Sequence, residues 1–175
     1  MLPVECFRHC PRCGAARPAE NVGQNPLACP ACGFTFFFNP TVAAAAFLFD
    51  GQGRALFIRR AKDPEKGKLA IPGGFIDVGE TAEEALRRET REEVNLEIDR
   101  IAYLCSLTNW YPYRGVTYPV CDLMFTATAV DPGATAALDG VAGFEWLPVT
   151  DVDPGEIAFP SIRRGVELLR QGGGR

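Results

Sequence analysis

The sequence predicts an α/β protein: one mixed sheet layered between two helices, preceded by a small cysteine-rich ribbon. Three observations carry this. Two near-identical Cys-x2-Cys-Gly knuckles, Cys10–Gly14 and Cys29–Gly33, stand at the head of the chain. From Thr41 onward, strand-sized apolar runs are separated by turn residues. Only two stretches have helical character, one opening at Thr81 and one over Ser161–Arg170. Strands in hairpins with two helices are best buried when the sheet lies between the helices.

The totals agree with a soluble fold of ordinary size. A chain of 175 residues, 47% hydrophobic and 23% charged, suffices for one domain plus a small appendage. The longest apolar run, Val42–Phe49, is strand-sized and far too short to span a bilayer. Met1–Glu5 has no basic region leading into an apolar core, so a cytoplasmic location is expected and membrane attachment is not. The formal net charge of −4 argues against a protein whose main task is to coat nucleic acid. It leaves a small anionic substrate open, because a divalent cation supplies positive charge locally.

Residues 1–38 are expected to form the first domain. Five of the seven cysteines fall here: Cys6, Cys10, Cys13, Cys29 and Cys32. Clustered cysteines without a secretory signal point to metal rather than disulfides. Two residues between cysteines let one turn present both sulfurs to one ion, and the following glycine relieves that turn. Cys10, Cys13, Cys29 and Cys32 therefore read as a closed, structural zinc site, which needs neither Cys6 nor His9. Phe34 and Phe36–Phe38 are expected to pack this unit, and Asn39-Pro40 marks its end. The isolated Cys105 and Cys121 read as small buried hydrophobes.

Residues 39–175 are expected to form the second domain. Val42–Phe49 and Arg54–Arg59 read as strands joined by the turn Asp50-Gly-Gln-Gly53. Ala61–Leu69 reads as loop, and Ala70-Ile-Pro72 leads into Gly73-Gly74. Leu96–Leu107 reads as a strand, Asn109–Gly115 as an aromatic loop and Val116–Val130 as a long strand. Asp131–Gly143 reads as a flexible loop and Phe144–Leu147 as a short strand. Ile162, Val166 and Leu169 give Ser161–Arg170 a helical stripe with Ser161 as a candidate N-cap. The terminal glycine-rich tail is expected to fray.

Thr81-Ala-Glu-Glu84 is a capping box that starts the first helix at Thr81. At about 100° per residue, Glu89, Glu92 and Glu93 fall on the side of the helix that carries Ala82, Ala85 and Leu86. Glu84, Arg87 and Arg91 point the other way and fit a solvated face. Like charges at i and i+4 repel, and partial burial worsens this unless a cation is present. A hard divalent ion resolves both problems, and the Gly73 carbonyl is a candidate further ligand.

The segment Gly74-x5-Glu80-x7-Arg88-Glu-Thr-Arg-Glu-Glu-Val-Asn-Leu96 resembles the signature of the Nudix hydrolases, G-x5-E-x7-R-E-U-x-E-E-x-G-U. Every charged position is present. Thr90 stands where an aliphatic is commoner, and Asn95 replaces the last glycine, where Asn is the next-best left-handed cap. The resemblance implies an α/β/α sandwich and hydrolysis of a nucleoside diphosphate linked to another group, such as NAD(H) or ADP-ribose. It implies that Glu89, Glu92 and Glu93 bind magnesium or manganese, with Glu89 helping to activate water. It further implies that Arg88 orients Glu89 and that Glu80 fixes the helix start. A carboxylate outside the box completes the site in many relatives, and Asp139 and Glu145 are the candidates.

A zinc ribbon before such a domain resembles the NADH diphosphatase branch. The branch carries an S-Q-P-W-P-F-P array, whereas this chain has Ser106-Leu-Thr-Asn-Trp110-Tyr-Pro-Tyr113. Arg59, Arg60 and Arg114 are candidate phosphate contacts; Trp110, Tyr113 and Phe159 are candidate stacking rings. A nucleotide-sensing module and an enzyme removing nucleotide caps from RNA are the alternatives, with Arg8, Arg12 and Arg17 as a basic local patch on the ribbon. Relatives of this kind are often homodimers.

Overall fold

The computed structural model describes residues 1–172; the last three residues of the tail lie outside the described residues. The chain divides into two compact units. The first is Met1–Thr41 together with Trp110–Val120, a segment that the sequence alone places in the second domain.

In the first unit a short helix α1 (Pro3–Cys6) is followed by a two-stranded ribbon, β1 (Leu27–Ala28) and β2 (Thr35–Phe36). Leu27 pairs with Phe36 and is fully buried. The two knuckles have one geometry: Gly14 N–H donates to Cys10 O and Gly33 N–H to Cys29 O, both at 2.9 Å. Gly14 and Gly33 take φ values of 75° and 70°, which a side chain would oppose.

The larger sheet of the fold has seven strands. Its strands are β3 (Thr41–Phe49), β4 (Ala55–Arg60), β5 (Leu69–Ala70), β6 (Gly73–Phe75), β7 (Ile98–Tyr113), β8 (Val116–Ala129) and β9 (Val141–Leu147). The order is β5-β4-β3-β8-β7, with β6 on β3 and β9 on β4. Two helices, α2 (Ala82–Val94) and α3 (Pro160–Gly172), complete the expected α/β architecture. Ala44, Ala46, Phe47 and Leu48 of β3 are all fully buried, which fits a strand covered on both faces. Helix α3 comes close to β3 at Gly165, where an added Cβ would lie 2.8 Å from the Phe47 ring.

Four local expectations are corrected. Residues 109–113 are not loop but the continuation of β7, and the reversal is confined to Arg114-Gly115. Pro112 is accommodated because β7 is the last strand of the sheet path, and an edge strand tolerates a missing N–H. Ser161 does not cap α3: Pro160 takes the first helical position, where its fixed φ is an asset, and Ser161 is buried. Loop 131–143 is shorter than expected, because β9 begins at Val141. Arg87 is half-buried rather than solvated, and its guanidinium reaches back to the Ile98 carbonyl.

Candidate active site

The helix α2 opens and closes as its sequence requires. Thr81 Oγ1 accepts from Glu84 N–H at 3.2 Å, and the Glu84 carboxylate accepts from Thr81 N–H at 2.8 Å. Asn95 closes the helix in the left-handed region at φ 58°. The buried stripe is Ala85, Leu86, Thr90 and Val94, with Glu89 and Glu93 at its margin. Thr90 is fully buried, and its hydroxyl donates to Leu86 O at 2.6 Å, so the departure from an aliphatic leaves no unpaired polar group.

Arg88 organises the carboxylates. Its Nε and Nη2 fork onto the two oxygens of Glu80 at 2.9 and 3.0 Å. Its Nη1 donates to Glu89 at 2.7 Å and to Glu92 at 3.2 Å, and Nη2 also donates to Phe75 O at 3.1 Å. The Arg88 hydrogen bonds, joined by one from the Asp77 N–H, hold the Glu80 carboxyl below its ordinary value. Glu89 moves the other way: burial raises it, against the partial compensation of Arg88.

Glu93 is the most perturbed group. Burial pushes its carboxyl up to about 8, and Glu89 and Asp139 add repulsion. One hydrogen bond from the Gly73 N–H at 3.0 Å and the charge of Arg60 oppose this. Gly73 approaches so closely that a Cβ would lie 2.3 Å from Ala44 O; at Gly74 it would lie 2.3 Å from Glu89 Oε1. The glycines thus let the backbone cradle two crowded, partly buried carboxylates. Glu89, Glu92 and Glu93 are hard oxygen donors on one side of the helix and could hold a divalent cation. These three are not drawn together as tightly as the cysteines: among the described residues, only the four cysteine sulfurs form a group of three or more ligands all within 4.8 Å.

A loop ties this helix end to its surroundings. Ala136, Leu138 and Asp139 N–H groups donate to Val94, Glu93 and Glu92 carbonyls at 3.1, 2.9 and 3.3 Å. The expected outer carboxylates have other partners. Asp139 pairs with Lys62 at 2.8 Å, and Glu145 pairs with Arg59 at 2.7 Å. Phe159 is buried, with the Arg60 guanidinium 4.9 Å above its ring. Trp110, exposed, belongs to the first unit, where it lines an apolar groove of about 640 Å³ with Phe7, Phe36 and Tyr118. Arg114 sits over Tyr113 at 5.2 Å.

Sequence reasoning missed Lys62 and a buried carboxyl, Asp122, which burial raises while Ser161 and Asn109 partly compensate. No local motif marks either one.

In the first unit, Cys10 Sγ lies 3.8 Å from Cys32 Sγ, and Cys13 Sγ lies 3.8 Å from Cys29 Sγ. Burial opposes the Cys10 thiolate, yet backbone N–H groups of Cys13 and Arg12 bring it down to about 6. The Phe34 N–H favours the Cys32 thiolate, but burial and the neighbouring sulfurs push Cys32 up to about 12. Four sulfurs gathered within 4.8 Å of one another are suited to one divalent ion with thiolate ligands. His9 is exposed and bridges Ala16 through its backbone; Cys6 is exposed and beside Met1 Sδ at 3.4 Å. Cys105 and Cys121 are half-buried rather than core residues.

A NUDIX domain profile matches residues 39–166. The chain belongs to the NUDIX family. It is 32% identical over 170 residues to the human mitochondrial NAD(P)H pyrophosphatase NUDT13, covering 97% of this chain and 45% of that protein. This NUDIX chain therefore spans half or less of the length of the curated relatives it matches first. A NUDIX hydrolase from Nitrosomonas europaea superposes with a TM-score of 0.68 at 22% identity, covering 97% of this chain and 94% of the other. The NUDIX domain of Shewanella oneidensis NrtR, solved with ADP ribose, superposes with a TM-score of 0.63 at 25% identity, covering 77% and 89%. Among the described residues, no helix is long and apolar enough to cross a membrane.

Proposed function

We propose that this protein hydrolyses the pyrophosphate bond of a nucleoside diphosphate linked to another group, with NAD(H) and ADP-ribose as the first substrates to test. The observation that carries the reading is the Arg88-centred carboxylate network beside the buried Glu93. A NUDIX relative named as a NAD(P)H pyrophosphatase and a NUDIX domain solved with ADP ribose support the substrate class.

Magnesium or manganese held by Glu89, Glu92 and Glu93 would neutralise the diphosphate and acidify a water. The remaining chemistry falls to the chain. Arg88 holds Glu89 in one orientation, and burial keeps the Glu89 carboxylate a better base than a solvated one. Glu89 takes the proton as the water oxygen bonds to phosphorus, and the bridging P–O bond breaks to leave two phosphate monoesters. Glu80 holds Arg88 from the other side and so fixes the helix start. Asp139, paired with Lys62, and Glu145, paired with Arg59, are the candidates for an outer carboxylate.

The four cysteines hold a structural zinc, residues 1–38 act as a ribbon domain and residues 39–175 as the hydrolase domain. None of the seven cysteines is in a disulfide, which suits a reducing, cytoplasmic location. The deciding experiment offers NADH, NAD, ADP-ribose, dinucleoside polyphosphates and NAD-capped RNA with magnesium or manganese and reads products by mass. Monophosphate products from a nucleotide substrate, lost in Glu93→Gln, support the reading. No turnover of any of them overturns it.

A further inference from the structure

The proposed hydrolysis needs a protein cation on the phosphates, and most cations of the second unit near the site are already engaged. Arg88 spends all three of its nitrogens on Glu80, Glu89, Glu92 and Phe75. Arg59 is held by Gly67 O at 2.8 Å and by Glu145 at 2.7 Å, with Glu156 at 3.8 Å. Lys62 is paired with Asp139, and Arg163 donates twice to Ile157 O.

Arg60 differs. Its Nε donates to Pro64 O at 2.7 Å, and its two terminal nitrogens meet no protein acceptor among the described residues. The guanidinium carbon lies 4.9 Å from the ring centroid of buried Phe159. The register of the β4–β9 pair shifts between Arg59 and Arg60, and such irregularities re-aim side chains.

Backbone hydrogen bonds place this arginine beside the end of α2. Ala61 N–H donates to Gly140 O at 2.8 Å, and the adjacent Asp139 N–H donates to Glu92 O. The field of Arg60 also reaches Glu93. A planar fork with free donors, pre-oriented on an aromatic face and next to a candidate metal site, matches the oxygens of a metal-bound phosphate.

We propose that Arg60 grips the non-bridging oxygens of the substrate diphosphate, and that Phe159 is a positioning residue that holds its guanidinium in place. The inference rests on the pyrophosphate reading above and assigns that site its phosphate clamp. It also changes the role of Phe159, which the sequence offers as a stacking ring for a base.

The test is calorimetric binding of inorganic pyrophosphate in magnesium, and of magnesium alone, to full-length protein. Arg60→Ala and Arg60→Gln should weaken pyrophosphate about 10- to 100-fold while leaving magnesium affinity unchanged. Arg60→Lys should lose less, keeping the charge but not the fork. Phe159→Leu should weaken binding several-fold alone and add nothing to Arg60→Ala, the coupling expected of a residue acting through another. Arg164→Ala, in a surface pair with Glu167, should match wild type.

The proposal is overturned by unchanged pyrophosphate affinity in the Arg60 variants, by a parallel loss of magnesium affinity, or by wild-type protein that binds no pyrophosphate. If pyrophosphate binding depends on Arg60 but no nucleotide is hydrolysed, the functional reading fails and the phosphate clamp stands.

Discussion

Replacing Glu93 by Gln should stabilise the metal-free protein at pH 8 while abolishing turnover. The carboxyl is buried, and burial moves it from 4.5 to about 8. Its folded value thus lies above its unfolded value, so the folded state binds the proton more tightly. Stability is then full below about pH 4.5 and is lost as pH rises toward 8. At 1.36 kcal/mol per pH unit the upper limit is about 5 kcal/mol, and partial access of water brings the expected cost to about 2–4 kcal/mol. A neutral isostere escapes that cost and still has an oxygen to accept from the Gly73 N–H. For a chain of this size the gain corresponds to roughly 5–15 °C in the unfolding midpoint.

The assay is thermal or urea unfolding of both proteins at pH 6 and pH 8, with zinc retained and magnesium and manganese removed. The variant's advantage should grow with pH and reverse in saturating magnesium, because only the wild type then gains binding energy. A stability difference that does not change with pH, or one that ignores magnesium, would refute the reasoning that Glu93 holds an uncompensated charge awaiting a cation.

Three further outcomes follow from the same geometry. Gly73→Ala should cost more than about 2 kcal/mol in urea unfolding, since its Cβ would overlap the Ala44 carbonyl and no flexible side chain can yield there. Asn95→Gly should raise stability by about 0.5–1 kcal/mol, because Asn95 holds a φ of 58° that glycine adopts without strain; a loss would show that the hydrogen bond from Asn95 Nδ2 to Ala134 O matters more than the backbone. Purified protein under reducing conditions should contain about one zinc per chain, and Cys29→Ser should lose it and expose Leu27 to protease attack; a zinc-free wild type with an intact first unit would be inconsistent with the site.

Much of the site could be read from residues alone because its signals are local. A capping box, a glycine pair and i, i+4 carboxylates act within one or two turns of chain, so Thr81, Gly73, Glu89 and Glu93 could be placed without tertiary information. The knuckles are local in the same sense, and both take the turn their spacing implies. Two of the misread elements depend on partners outside their own segment. Residues 109–113 read as loop, but they continue β7, whose place at the end of the sheet path tolerates Pro112. Arg87 looked solvated because its acceptor, Ile98 O, lies beyond the helix.

The sequence by itself determined the family chemistry: a helix with crowded carboxylates and a four-thiol cluster, each specified by short-range spacing. Only the tertiary structure decided which arginine is free to meet a phosphate. Arg59 and Arg60 are adjacent and chemically identical, but the fold engages one with Glu145, Glu156 and Gly67 and lays the other across Phe159. That choice depends on residues almost a hundred positions away along the chain.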